Sequence, residues 1–236
     1  MVDPTRYSEC GDPIYEYTQE NQQREVFPSN EETKRKLEAH ITKYIGTIKE
    51  VFHEIISEFV HIDVYIVAPT EERNFYTLVT SGMSNCPMNC PEPLQEFRYA
   101  EILICLPPSW PLNLNEEQTP NTYFPIEWLK ILARLPHQYE SWLSYGHTIP
   151  NGDPPEPFAD NTQLCCCLLS EPLLFEEEFL KLEINKEKNI YFLSLVPIYQ
   201  EEMEFKLSHG ADALFARLDE FDITELLDIH RLNITM

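Results

Sequence analysis

Five consecutive residues, Ile102-Leu103-Ile104-Cys105-Leu106, carry no polar side chain, and Pro107-Pro108 stops the run. In a strand, successive side chains point to opposite faces, so this segment is apolar on both. A strand of that kind sits in the middle of a sheet and needs cover above and below. The chain is long and apolar enough to supply it: 236 residues, 43% hydrophobic and 12% aromatic. Aromatic content of that order also separates it from disordered chains.

The flanking periodicity names the covering elements. Ser29 followed by Glu32 reads as a capping box. Leu37, Ile41, Tyr44, Ile48, Phe52, Ile55 and Phe59 then recur at helical spacing, which predicts one long helix carrying Gly46 inside it. From His61 the period changes to two. Ile62, Val64, Ile66 and Ala68 alternate with His61, Asp63, Tyr65 and Val67. Pro69 ends that strand, and FYTLVTS (75–81) makes a second one, an antiparallel hairpin with it.

Residues 97–106 form a third strand. Pro125 is placed to open a second helix over Ile126–Leu135, which Pro136 ends or kinks. YGHTIPNGDPPEPF (145–158) holds four prolines and two glycines and reads as irregular loop. Gln163–Leu169, Phe179–Ile184 and Ile190–Val196 read as strands, the last ended by Pro197. The rest, to about Leu227, reads as helices broken at Gly210. The predicted fold is α+β: one compact domain with a mixed, mostly antiparallel sheet flanked by helices. Residues 1–30 are polar and aperiodic and are assigned as an N-terminal arm, leaving 31–236 as the domain. Tyr7, Tyr15, Tyr17 and Phe27 are the side chains able to pin that arm down.

Charge and motifs narrow the function. The net charge is −23, a field that repels nucleic-acid backbones and anionic membranes. No stretch approaches the length of a membrane span, and the opening MVDPTRYSEC lacks the basic and apolar regions of a secretion signal, so a cytoplasmic protein is expected. An odd cysteine count, with three adjacent at 165–167, suits packing better than a disulfide framework. Cys86 and Cys90 make one pair where a structural zinc needs four ligands, so no metal and no cofactor are expected. No nucleophile elbow, phosphate loop or zinc-protease motif occurs. His61 and Asp63 share a strand face without an adjacent nucleophile. No residue is therefore assigned as catalytic.

Four runs carry a family resemblance. HIDVYIVAPTEERNFYTLVTSGMS (61–84), YAEILICLPPSWPL (99–112), LPHQYESWLSYGHTIPNGDP (135–154) and LVPIYQEEMEFK (195–206) resemble, in order, blocks of the suppressor of fused family in its bacterial form. The resemblance implies an α/β fold without enzymatic activity. Animal members bind zinc-finger transcription factors and hold them in the cytoplasm, closing two lobes on an extended peptide; this chain resembles only the first lobe. Bacterial members are held to act largely as immunity proteins against polymorphic toxins.

The expected function is thus non-enzymatic protein binding, as an immunity protein that neutralises a toxin. The alternatives are a cytosolic regulator or scaffold that sequesters a cellular protein, or an enzyme without a known motif. Candidate contacts are Trp142, Tyr145, His147, Asn151 and Asp153, in and beside the proline-rich loop, and Glu71, Glu72 and Arg73 in the hairpin connection. Trp142 reads somewhat better as core, and Tyr145 equally as contact or as packing on the body. Residues 151–236 hold eighteen acids against six bases, a balance that would steer a basic toxin domain. No nucleic-acid or membrane partner is expected.

Overall fold

The computed structural model describes residues 3–17, 30–53, 60–112 and 119–235. Helix α1 (Glu31–Tyr44) is capped by Asn30, whose Oδ1 accepts the N–H groups of Glu32 (3.0 Å) and Thr33 (3.1 Å). The predicted cap Ser29 lies outside the described residues, and Asn30, the next residue, caps the helix. The helix stops far short of Phe59. Gly46 adopts φ +143°, where a side chain is strained and would press on Val67. Ile48 and Phe52 then lie on a strand, β3 (Ile48–Phe52). Their spacing of four suits a helical face, but the glycine between them and Ile41 decides the outcome. Ile55 and Phe59 lie outside the described residues.

β3, β4 (Asp63–Val67), β5 (Tyr76–Ser81) and β6 (Ala100–Leu106) pair antiparallel in sequence order. Helix α2 runs Pro120–Gln138, so Pro125 lies inside the helix rather than at its start, and Pro136 sits in its last turn. Beyond it, Thr148–Pro150 form a short strand β7 within the stretch predicted to be irregular. β8 (Cys166–Ser170), β9 (Lys181–Asn185) and β10 (Lys188–Ile198) follow. β10 runs through Pro197, which still faces Cys167 of β8. Helices α3 (Gln200–His209) and α4 (Ala211–Glu220) end the regular structure; Leu226 and Leu227 belong to an irregular tail.

The sheet order is β3-β4-β5-β6-β10-β8-β7, with β9 also on β10. β10 lies parallel to β6 and antiparallel to β8 and β9, which share its other edge end to end. Alternation along β10 sorts the layers. Leu193 and Leu195 face the core beneath α2, with Ile102, Ile104, Leu129 and Leu132. Phe192 faces α1, with Leu37, Ile41 and Leu103. Val196 and Ile198 share the α1 face and lie under α4, against Leu214 and Leu218. Both faces of β6 are therefore covered, as its apolar run requires.

The described part of the arm packs on this body. β1 (Arg6–Tyr7) and β2 (Pro13–Ile14) make a small hairpin. Asp12 pairs with Lys206 at 3.0 Å, Tyr15 meets Trp142 edge-on, and Tyr17 stacks on Tyr139 with its hydroxyl on Ser141. Tyr7 points into solvent, and Phe27 lies outside the described residues. Among those residues no helix is long and apolar enough to cross a membrane.

All seven cysteines are free thiols. The three adjacent ones do not simply alternate. Cys167 faces the α2 core, whereas Cys165, just before β8 begins, turns its sulfur to the same side as Cys166, 3.8 Å away. Cys86 and Cys90 are both buried, and burial pushes the Cys90 thiol up to about 11.

Candidate partner-binding site

The sheet forks between its two parallel strands. β10 pairs with β6 only as far as Ser194 opposite Leu103, then continues alongside β8. β6 runs on to Leu106, and the tail fills the place that β10 leaves. The N–H of Cys105 donates to Glu225 O (3.0 Å), and the N–H of Leu227 donates to Cys105 O (2.8 Å). In open sheets with parallel strands, the crevice beyond the carboxyl end of such a strand is where ligands bind.

Two buried acids hold the tail in the fork. Glu202 is fully buried and accepts both guanidinium ends of Arg231, at 2.6 and 2.5 Å, together with the N–H groups of Tyr199 and Ile234. Arg231 also donates to Pro197 O and Leu232 O, so both its terminal nitrogens are committed inside the protein. Glu225 accepts the N–H of Leu174 at 2.9 Å, and burial raises its carboxyl above the ordinary range.

Beyond Leu106 the fork opens into a cleft of about 680 Å³. One wall is Pro107–Pro111, with Trp110 Nε1 donating to Thr122 O at the start of α2. The other is the tail, tied down where Thr162 Oγ1 donates to Ile229 O. The end of α4 forms the rim. There Asp222 takes φ +53°, its N–H bonds Asp219 O, and the N–H of Ile223 bonds Leu218 O. That is a Schellman stop, with aspartate in the left-handed position glycine usually fills. It leaves Phe221 and Leu226 exposed on the cleft, beside the carboxylates of Asp222 and Asp228.

The sequence-predicted contacts fall in two places, separated across the sheet by β6, β10 and β8. Glu71 and Glu72 are exposed on the β4–β5 connection. Arg73 turns inward, donating to Ala68 O (2.7 Å), Phe75 O (2.7 Å) and Thr77 Oγ1 (3.0 Å), a clasp on its own turn. Burial lowers its pKa. In the other group, Trp142 is buried between Tyr15 and His147. His147 is half-buried, and burial, then Lys206, pushes it down to about 4. Asn151 donates to Glu156 O and Pro157 O and so shapes its own loop. Tyr145 is 45% exposed and stacks on Phe215 of α4 at 4.3 Å, with Asp212 and Glu171 near enough to raise its pKa after burial. Asp153 is exposed. The structure thus brings Trp142, Tyr145 and His147 into one segment and keeps Glu71–Arg73 apart from it.

The cleft residues escaped sequence reasoning, because the walls come from 107–111, 121–122, 161 and 221–231 and meet only in the fold. Their one local signal is the pair Pro107-Pro108, read there as a strand stop.

A second, smaller hollow of about 190 Å³ joins the family-like blocks. Asp63 Oδ1 meets His61 Nε2 (3.0 Å) and His53 Nδ1 (3.2 Å), and Lys34 stands 3.8 Å from Oδ2. Glu101 is fully buried and accepts four bonds, from Thr80 Oγ1, Ser84 Oγ and the N–H groups of Gly82 and Ser84. Burial raises its pKa and these bonds oppose the shift. Ser81 Oγ donates to Tyr65 Oη, so both serine hydroxyls here are spent on internal bonds rather than on a histidine. His137 Nε2 donates to Met83 O (3.1 Å), fastening the end of α2 to the same turn.

Comparison with known proteins agrees with this architecture. A family model described as suppressor of fused protein (SUFU) matches residues 59–232. Among solved structures, a protein from Neisseria gonorrhoeae described as a SUFU homolog is 22% identical over 87% of this chain and 98% of its own, with a TM-score of 0.62. A chain of the Sufu–Fu complex is 11% identical over 89% of this chain and 93% of its own (TM-score 0.58). Drosophila Suppressor of Fused is 14% identical over 73% of this chain and 42% of its own (TM-score 0.51). No curated protein matches. At these identities the solved structures carry the fold, and the family model, which spans most of the chain, carries the lineage: this protein belongs to the suppressor of fused family.

Proposed function

We propose that this chain works by occupancy rather than turnover, as a cytoplasmic immunity protein that binds a basic toxin domain and blocks it. The observation that carries the reading is the cleft at the fork of β6 and β10. It is recessed, walled by Trp110, Phe221 and Leu226, and edged by Asp222 and Asp228. An apolar centre with a polar rim is how protein interfaces are built. The net charge of −23 supplies long-range attraction for a basic partner. Tyr145, Glu71, Glu72 and Asp153 present exposed side chains for outlying contacts, whereas Arg73, Trp142 and Asn151 act by holding backbone and core.

The test is co-purification with toxin domains encoded beside this gene. A stable complex that relieves toxicity supports the reading, and its affinity is expected to fall as salt rises. A neighbouring toxin that neither binds nor is neutralised overturns it. The likeness to a chain of the Sufu–Fu complex favours a second reading, a regulator that sequesters a cellular protein. That reading gains if the chain captures a basic cellular protein and no toxin.

A further inference from the structure

We infer that Cys165, Cys166 and Met203 form a site for a soft monovalent metal ion, Cu(I), between β8 and the first turn of α3. Cys166 Sγ touches both of the other sulfurs: Cys165 Sγ lies 3.8 Å from it and Met203 Sδ 3.6 Å. Three sulfurs that share one ion at a metal–thiolate length of about 2.3 Å stand about 3.8–4.0 Å apart. Both contacts are already near that spacing, and the unbranched Met203 side chain can adjust the third. Two thiolates and a thioether are soft donors, the kind that selects Cu(I), whereas structural zinc takes four nitrogen, oxygen or thiolate ligands. Among the described residues no three histidine, cysteine or carboxylate side chains converge on a metal position, so the thioether is what completes this set.

The surroundings suit the charge of such a site. Two thiolates around a monovalent cation leave one surplus negative charge. Cys165 Sγ accepts the backbone N–H of Gln200, the first residue of α3, where the helix dipole favours an anion. The hydrogen bond from Cys166, and then that N–H, draw the Cys165 thiol below its ordinary pKa, while the same pairing and burial raise Cys166. The pair therefore releases one proton readily and keeps the other between the sulfurs, the place a soft cation takes. Glu201 and Glu204 are exposed and close enough to act on these thiols, so a cation is attracted to the spot. Cys165 and Cys166 are buried, and Met203 is half-buried against Cys166. Its flexible thioether gives the ion an entry by swinging aside. Cys167 points to the opposite face and takes no part.

The probe is Cu(I) alone, offered without oxygen to the full reduced, ¹⁵N-labelled chain in competition with bicinchoninate. The chain should withdraw one equivalent with release of protons. Amide shifts should centre on residues 164–168 and 199–204, and X-ray absorption should find sulfur ligands at about 2.3 Å. Zn²⁺ at the same concentration should leave Cu(I) in place. Met203→Leu conserves volume, so it should stay folded and bind Cu(I) about tenfold more weakly. Cys165→Ala or Cys166→Ala should cost at least about 100-fold. Cys10→Ser removes the exposed thiol and should change nothing. Cu(I) left with the competitor makes the three sulfurs core packing and overturns the proposal. So do shifts centred on Cys10 or on Cys86 and Cys90. Met203→Leu with the affinity of the parent chain also overturns it, whatever the cysteine variants do. If those variants fail to fold, Met203→Leu decides alone.

Discussion

The carbonyl oxygen of His61 occupies the space in which a side chain on Gly82 would begin: an added Cβ would lie 2.0 Å from it. Gly82 also holds φ +135°, and its N–H donates to the buried Glu101. Gly82→Ala therefore meets both backbone overlap and strain, neither of which a rotamer change relieves. The expected loss exceeds about 4 kcal/mol, enough to leave little folded protein. Gly146→Ala is the comparison, since its Cβ would stand 3.1 Å from Ala211 Cβ, at φ +79°. That variant should stay folded with a lower midpoint in urea.

The pair Glu202–Arg231 sets how firmly the tail is held. Arg231→Met leaves a fully buried carboxylate without its cation and should cost about 3–5 kcal/mol. Glu202→Leu combined with Arg231→Met should recover a large part of that loss. A double-mutant cycle by chemical denaturation gives the coupling. A double variant no more stable than Arg231→Met alone would contradict the role of the stranded charge.

His137 is pushed down from an ordinary 6.5 to about 4, chiefly by burial. In the folded chain it stays neutral and donates from Nε2 to Met83 O, while the unfolded chain takes up a proton below about pH 6.5. The stability it contributes is present above 6.5 and drains as pH falls towards 4. Within that window the slope is about 1.4 kcal/mol per pH unit for one such group. Glu101 and Glu225, whose pKa values burial raises, act with the opposite sign. The measurement is therefore a difference: denaturation of wild type and His137→Gln from pH 7 to 4.5. The glutamine variant should lose less stability over that range.

Tyr145 is expected to separate binding from folding. Its ring lies on Phe215 and is 45% exposed. Tyr145→Ala should cost about 1 kcal/mol of stability or less. If this surface borders the partner, as proposed, the complex weakens by about five- to tenfold or more. Calorimetry on the folded variant reads the two effects apart. An unchanged dissociation constant removes Tyr145 from the interface.

Much of the layering was legible because burial leaves a period. The two-faced apolar run in β6 and the alternation in β4 place themselves. Boundaries failed where one residue overrides a periodic run. Ile48 and Phe52 suit a helical face, yet Gly46 ends the helix before them. Pro125 suits a first turn, yet α2 begins at Pro120 and tolerates it inside. Pro197 reads as a stop, yet β10 passes through it because its neighbour Cys167 still lies opposite. Among the candidate contacts, exposure was the illegible part. Arg73 and Tyr145 are both plausible anchors by type, but one closes a turn on three acceptors and the other faces outward. The cleft was out of reach because no local pattern announces that residues 225–227 will lie beside residue 105.

β10 is paired with β6, β8 and β9 at once. The strands β3 to β6 form a meander of neighbours in sequence, whereas β7, β8 and β9 reach that meander only through β10. Its junction with β6 matches Tyr191 to Ala100, a closure that loop entropy makes slow. During synthesis the first half of the sheet can assemble while the second waits for one strand that is made later. Until then the open edge of β6 is an apolar, unpaired template, the kind of surface on which nascent chains aggregate. Hydrogen-exchange pulse labelling should find β4 and β5 protected before β8, and the yield of soluble protein should depend on how quickly β10 arrives.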